Sequence, residues 1–124
     1  MDLCDISQIK SLLMRHGFRF SKSMGQNFLT SAWVPEQIAE EAGLDGQTGV
    51  LEVGPGIGCL TVQLAKRAGK VVAVELDNAL KPVLSETLAD CENTEVLFGD
   101  VLKMDINEIV ERHFQGMKPA VCAN

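Results

Sequence analysis

Residues 50–58, Val-Leu-Glu-Val-Gly-Pro-Gly-Ile-Gly, set a short apolar run directly against three glycines spaced one residue apart. Such a run has the length of a buried strand, and glycines let the backbone turn sharply without a β-carbon in the way. Behind the turn, Leu60, Val62, Leu64, Ala65 and Ala68 recur at helical spacing until Gly69. Strand, turn and helix therefore follow in order. A helix that carries the chain back for another strand in the same direction builds a parallel sheet.

The cycle repeats. Val71 to Val74 reads as a second strand, Ala79 to Ala89 as a helix with Pro82 in its tolerant first turn, and Val96 to Phe98 as a third strand. Asp105 and Glu108 have capping-box spacing ahead of a short helix through Ile109 and Val110, and Ala120 to Ala123 reads as a fourth strand. Upstream, Asp5 and Gln8 share that spacing, with Ile6, Ile9, Leu12 and Leu13 on one side of a helix that Gly17 ends. Pro35 suits the start of another helix, whose stripe of Ile38, Ala39 and Ala42 runs to Gly43. The expected architecture is α/β, with a doubly wound, mostly parallel sheet, helices on both faces and a fourth strand at the end of the chain. Residues 1–45 form an N-terminal helical segment and residues 46–124 the βα repeats.

With 124 residues, 46% of them hydrophobic, there is material for one core. No stretch approaches the roughly 18 to 20 apolar residues of a membrane span, and no basic-then-apolar leader opens the chain, which points to the cytoplasm. Cys4, Cys59, Cys91 and Cys122 are scattered, and neither His16 nor His113 stands at ligand spacing from them, so zinc and disulfide frameworks are not expected. The net charge of −6 is uneven: Lys10, Arg15, Arg19 and Lys22 outnumber Asp2 and Asp5 in the first thirty residues, leaving the acidic excess to the rest. That asymmetry is compatible with an N-terminal face that meets phosphate, and equally with a solvated helix.

In an open parallel sheet, ligands bind beyond the carboxyl ends of the strands at the topological switch point, so Gly54-Pro55-Gly56-Ile57-Gly58 marks the place to look. The dinucleotide fingerprint wants glycine where this chain has Cys59, and the lysine and hydroxyl residue of a P-loop are missing. Glu52, two residues before Gly54, suits a phosphate-free, cationic ligand better than a pyrophosphate. Glu75 ends the second strand about twenty residues after the glycines, where a carboxylate can accept both hydroxyls of a ribose. Asp77 reads as a helix N-cap. Asp100, after the third strand, is placed to accept a hydrogen bond from an adenine amino group, although alone it would pass as a turn residue. S-adenosylmethionine, a nucleoside that carries a sulfonium and no phosphate, fits this set.

Four strings together, SKSMGQNFLTS at 21–31, LEVGPGIGCLT at 51–61, VVAVELD at 71–77 and FGDVLKMD at 98–105, resemble the ribosomal RNA adenine dimethyltransferases. The Gly25-Gln26-Asn27-Phe28-Leu29 segment is the most specific of them. Lys22 and Gly25 make the chain more similar to the branch acting on 16S rRNA than to the macrolide-resistance branch acting on 23S rRNA. The resemblance implies a Rossmann-like class I methyltransferase fold truncated after the fourth strand. It also implies that Asn27, Leu29 and the Gly54 backbone touch the methionine part of the cofactor, with Glu75 on the ribose and Asp100 on the adenine. Asn124 matches the first residue of the family's Asn-Leu-Pro-Tyr motif. In that role it is a catalytic residue that also borders the cofactor, accepting a hydrogen bond from the target amine.

The implied reaction is dimethylation of adenine exocyclic amines in 16S rRNA of the immature small ribosomal subunit, by a whole protein that is monomeric. The rest of the catalytic domain and a helical C-terminal domain lie outside this chain, so the chain itself is expected to bind cofactor weakly, to lack activity and to self-associate through an open sheet edge. Alternatives are a 23S rRNA enzyme of the resistance type, a non-catalytic RNA-binding or ribosome-assembly factor, a small-molecule methyltransferase and a nicotinamide oxidoreductase. The small-molecule enzyme has no use for the GQNFL segment, and Cys59 at the third-glycine position speaks against the oxidoreductase.

Overall fold

The computed structural model describes residues 2–3, 5–22 and 33–123. Four strands, β1 (Thr48–Val53), β2 (Lys70–Glu75), β3 (Thr94–Phe98) and β4 (Lys118–Ala123), form one parallel sheet in the order β3-β2-β1-β4. Among the described residues the helices are α1 (Ile6–Arg15), α2 (Val34–Glu41), α3 (Cys59–Arg67), α4 (Lys81–Thr87) and α5 (Ile106–His113). Single 3-10 turns, Asn78–Leu80 and Val101–Lys103, follow β2 and β3.

β1 and β2 lie in the middle, and their near-continuous apolar runs are what a strand covered on both faces requires. On one face Val50 and Val71 pack with Ala39 of α2 and with Leu60, Leu64 and Ala68 in and after α3. On the other, Leu51, Val72 and Val74 pack with Ile109 of α5 and Phe114 just beyond it. After three strands laid down in one direction, the chain crosses to put β4 on the far side of β1. That reversal leaves a crevice at the carboxyl ends of β1 and β4.

Two local expectations are revised and a third holds. The helix expected over 79–89 divides into the 3-10 turn and α4, because Pro82 has no N–H to continue a ladder from the preceding turn and sits in the first turn of a new helix. At the start of α1, Asp5 caps the amide of Ser7, while Gln8 Oε1 accepts from the amide of Asp2 (2.9 Å), so the capping box is not reciprocal. At α5 the Asp105 side chain does accept from the Glu108 amide (3.2 Å).

Candidate cofactor-binding site

The turn after β1 has left-handed backbone at Gly54 (φ 73°), Gly56 (φ 59°) and Gly58 (φ 99°). At Gly58 glycine is demanded twice over, since a β-carbon there would come within 3.0 Å of Thr87 Oγ1 and 3.1 Å of Leu88 Cδ2. At Gly54 and Gly56 a β-carbon would meet no atom of the described residues within 4 Å. The backbone is thus exposed toward open space where the sequence predicts a ligand. α3 begins here with Gly58 as its N-cap and no side-chain cap, leaving its first amides directed at the crevice.

Three backbone donors stitch the turn in place. Gly54 N–H donates to Val74 O (2.9 Å), Gly58 N–H to Pro55 O (2.9 Å), and Gly56 N–H to Glu75 Oε1 (3.1 Å). The other carboxylate oxygen of Glu75, Oε2, accepts from the amide of Asp77 (2.9 Å). Glu75 is 7% exposed and has no cation paired with it among the described residues. A carboxylate accepts about four hydrogen bonds, so two positions are left for hydroxyls. Asp77 caps the turn after β2 through the Ala79 amide, as expected. Asp100 caps the turn after β3 by accepting from Leu102 N–H through Oδ1, which leaves Oδ2 as an acceptor. The Gly99 amide, which donates to Glu75 O (2.9 Å), holds that turn beside β2. Glycine turn, Glu75 and Asp100 therefore converge at one end of the sheet. Asn27, Leu29 and Asn124 lie outside the described residues.

Glu52 differs from its expected placement. Its side chain points into the protein, 1% exposed, and accepts a hydrogen bond from Thr61 in the first turn of α3. Burial pushes its carboxyl up to about 7; the Thr61 hydroxyl opposes that rise and the charge of Glu75 adds to it. Direct contact with a cationic ligand is excluded by this burial, because the strand register sends residue 52 to the face covered by α3. Three further residues were not singled out from sequence: Thr61, and the exposed Leu76 and Leu102, which follow Glu75 and Asp100. Their signal was their position beside the two acids.

An all-parallel sheet in the order 3-2-1-4, a glycine turn at its switch point and an acid at the end of the next strand define the Rossmann-like class I methyltransferases. Solved structures agree. The N-terminal domain of EvdMO1 with SAH bound superposes over 88% of this chain and 52% of its own with a TM-score of 0.57, at 17% identity, which supports the fold alone. The 23S rRNA methyltransferase ErmE is 42% identical over 58% of this chain and 30% of its own, with a TM-score of 0.54.

The ribosomal RNA adenine dimethylase family model matches residues 17–124, and the chain belongs to that family. Ribosomal RNA small subunit methyltransferase A of Enterococcus faecalis is 50% identical over 113 residues, 91% of this chain and 38% of that protein. The protein of the same description from Geobacillus thermodenitrificans is 45% identical over 113 residues, 91% of this chain and 39% of its own length. The chain thus spans about two fifths of the relatives it matches.

Proposed function

We propose that this chain is the cofactor-binding part of an enzyme that uses S-adenosylmethionine to dimethylate adenine amines in 16S rRNA of the immature small ribosomal subunit, in the cytoplasm. The observation that carries the reading is the Glu75 carboxylate, fixed by the amides of Gly56 and Asp77 with two acceptor positions to spare. Cofactor, when bound, supplies an electrophilic methyl group. Glu75 would accept from the ribose hydroxyls and Asp100 Oδ2 from the adenine amine, while Leu76 and Leu102 would cover the apolar faces of the base. The uncapped amides at the start of α3 suit the methionine carboxylate. Asn27 and Leu29 would touch the methionine part, the role that the family resemblance implies for them.

An adenine amine is a poor nucleophile, because its lone pair is delocalised into the ring. Catalysis then consists mainly of holding that nitrogen in line, in a pocket that receives a base taken out of its stack. Asn124, in its family role, accepts a hydrogen bond from the amine as positive charge develops on nitrogen. The remaining catalytic domain and a helical domain, implied by the family resemblance, would position the RNA. Incubating the full gene product with cofactor and immature small subunits should yield dimethyladenine in 16S rRNA. Modification confined to 23S rRNA would instead support the resistance-type reading, for which the 42% identity to ErmE speaks. No modification of either, with intact ribosome binding, would leave the assembly-factor reading.

A further inference from the structure

The carboxyl of Glu52 is the one buried acid next to the glycine turn whose role the cofactor reading does not use. It lies one face with Glu75, because parallel register pairs Glu52 with Ala73, two residues before Glu75 on the neighbouring strand. On the other side the register pairs it with Cys122 of β4. From α3 the neutral hydroxyl of Thr61 reaches it. Glu75 and Cys122 are thus the titratable groups that face it, and among the described residues no lysine, arginine or histidine is paired with either acid. Burial and the nearby charge of Glu52 both push the Cys122 thiol up, so it stays neutral and adds no further negative charge. Two carboxyls with no counter-cation, set under a turn that opens on a ligand crevice, oppose each other's ionisation, and a cation seated above them would relieve that repulsion.

We infer that Glu52 is a positioning residue coupled to the charge of the cofactor: its carboxyl is protonated in the empty site and releases that proton to solvent when the cationic cofactor seats. This inference rests on the cofactor reading above. S-adenosylmethionine carries a sulfonium, an ammonium and a carboxylate, a net +1, whereas its demethylated product has lost the sulfonium charge. A cation over the pocket favours the ionised acid; the product does so less. The same turn then holds substrate cofactor more tightly than spent cofactor, and the proton returns as the charge leaves.

The sign follows from linkage. If the bound form of Glu52 ionises well below the free form at about 7, affinity for the cationic cofactor gains about tenfold between pH 6 and pH 8 from this group. Titration calorimetry of the full gene product, in buffers of different ionisation enthalpy, should count about half a proton released per S-adenosylmethionine near pH 7, rising toward one near pH 6, and a smaller fraction for S-adenosylhomocysteine. The amino group of the ligand titrates too, so the readout is the difference from Glu52→Gln, which keeps a hydrogen bond to Thr61 and should remove that proton and that tenfold gain. Thr61→Val, which removes the donor that favours the charged acid, should move the midpoint of the pH profile upward, and it serves as the test should Glu52→Gln fail to fold. Equal proton counts in wild type and Glu52→Gln, or an unmoved midpoint in Thr61→Val, overturn the inference. Absence of any cofactor binding by the wild type overturns the cofactor reading instead.

Discussion

Two glutamates show how differently one side chain can be used in this fold. Glu86 on α4 receives Arg15 of α1 in a bidentate pair, both N···O distances 2.8 Å, with His16 Nε2 at 3.1 Å from Oε1, and these partners hold its carboxyl down to about 2. Glu52 has one neutral donor, a like charge nearby and almost no water, and is pushed up to about 7. The first acid fastens a helix to the domain. The second sits where folding alone would favour an apolar residue, and such a placement is characteristic of a site.

The contrast extends to pH. Glu52 binds its proton more tightly folded than unfolded, so its ionisation lowers stability as pH rises from about 4.5 to about 7, and the loss is complete above that. Glu86 has the opposite shift. Its contribution is present above about 4.5 and is lost as pH falls toward about 2.

The contrast can be broken experimentally, and the largest effect is expected at the acid proposed to meet the ligand. Glu75→Ala removes two charge-assisted acceptors and the anchor of Gly56, and cofactor affinity measured by calorimetry should fall at least about a hundredfold. A loss under tenfold would contradict the ribose assignment. Next, Glu52→Gln should be more stable than wild type by roughly 2–3 kcal/mol at pH 8 and nearly equal to it at pH 5, read from urea unfolding at the two pH values. A constant gap would show that its ionisation does not couple to folding.

Gly58 lies where the region of Glu86 presses on the region of Glu52, through Thr87 and Leu88. Gly58→Ala combines a left-handed backbone with a 3.0 Å contact and should destabilise by about 2 kcal/mol in thermal unfolding. An unchanged Tm would mean that α4 yields there. The smallest effect is expected from Arg15→Met, which leaves α1 attached by Ile9, Leu12 and Leu13 and should lower Tm by no more than a few degrees, while moving the acid limb of unfolding to higher pH.

The parallel sheet was legible because Val50, Leu51 and Val53 form an apolar run broken only by Glu52, Val71–Val74 are apolar throughout, and each run is followed by a break and a helical period. Its strand order was not written in any one segment; it follows from where β4 pairs. That Glu75, Gly54 and Asp100 lie together was legible because strand ends and turns carry them to one end of the sheet. The role of Glu52 was missed, since spacing from a glycine turn tells how near an acid lies along the chain and not which face of the sheet it takes. Here the period of two decides: Glu52 shares parity with Val50, whose face α3 covers. The break in the helix near Pro82 was a question of which turn the proline opens, and the chain resolves it by starting afresh.

Every described residue with positive φ is a glycine, so the turn at 54–58 adopts its shape without forcing a side chain into left-handed geometry. Its three anchoring hydrogen bonds use only protein groups and are already made. The entropy of ordering this backbone is therefore lost during folding and not during ligand capture. Seating of a nucleoside against such a preorganised rim should be governed by encounter, with little waiting for the loop to rearrange.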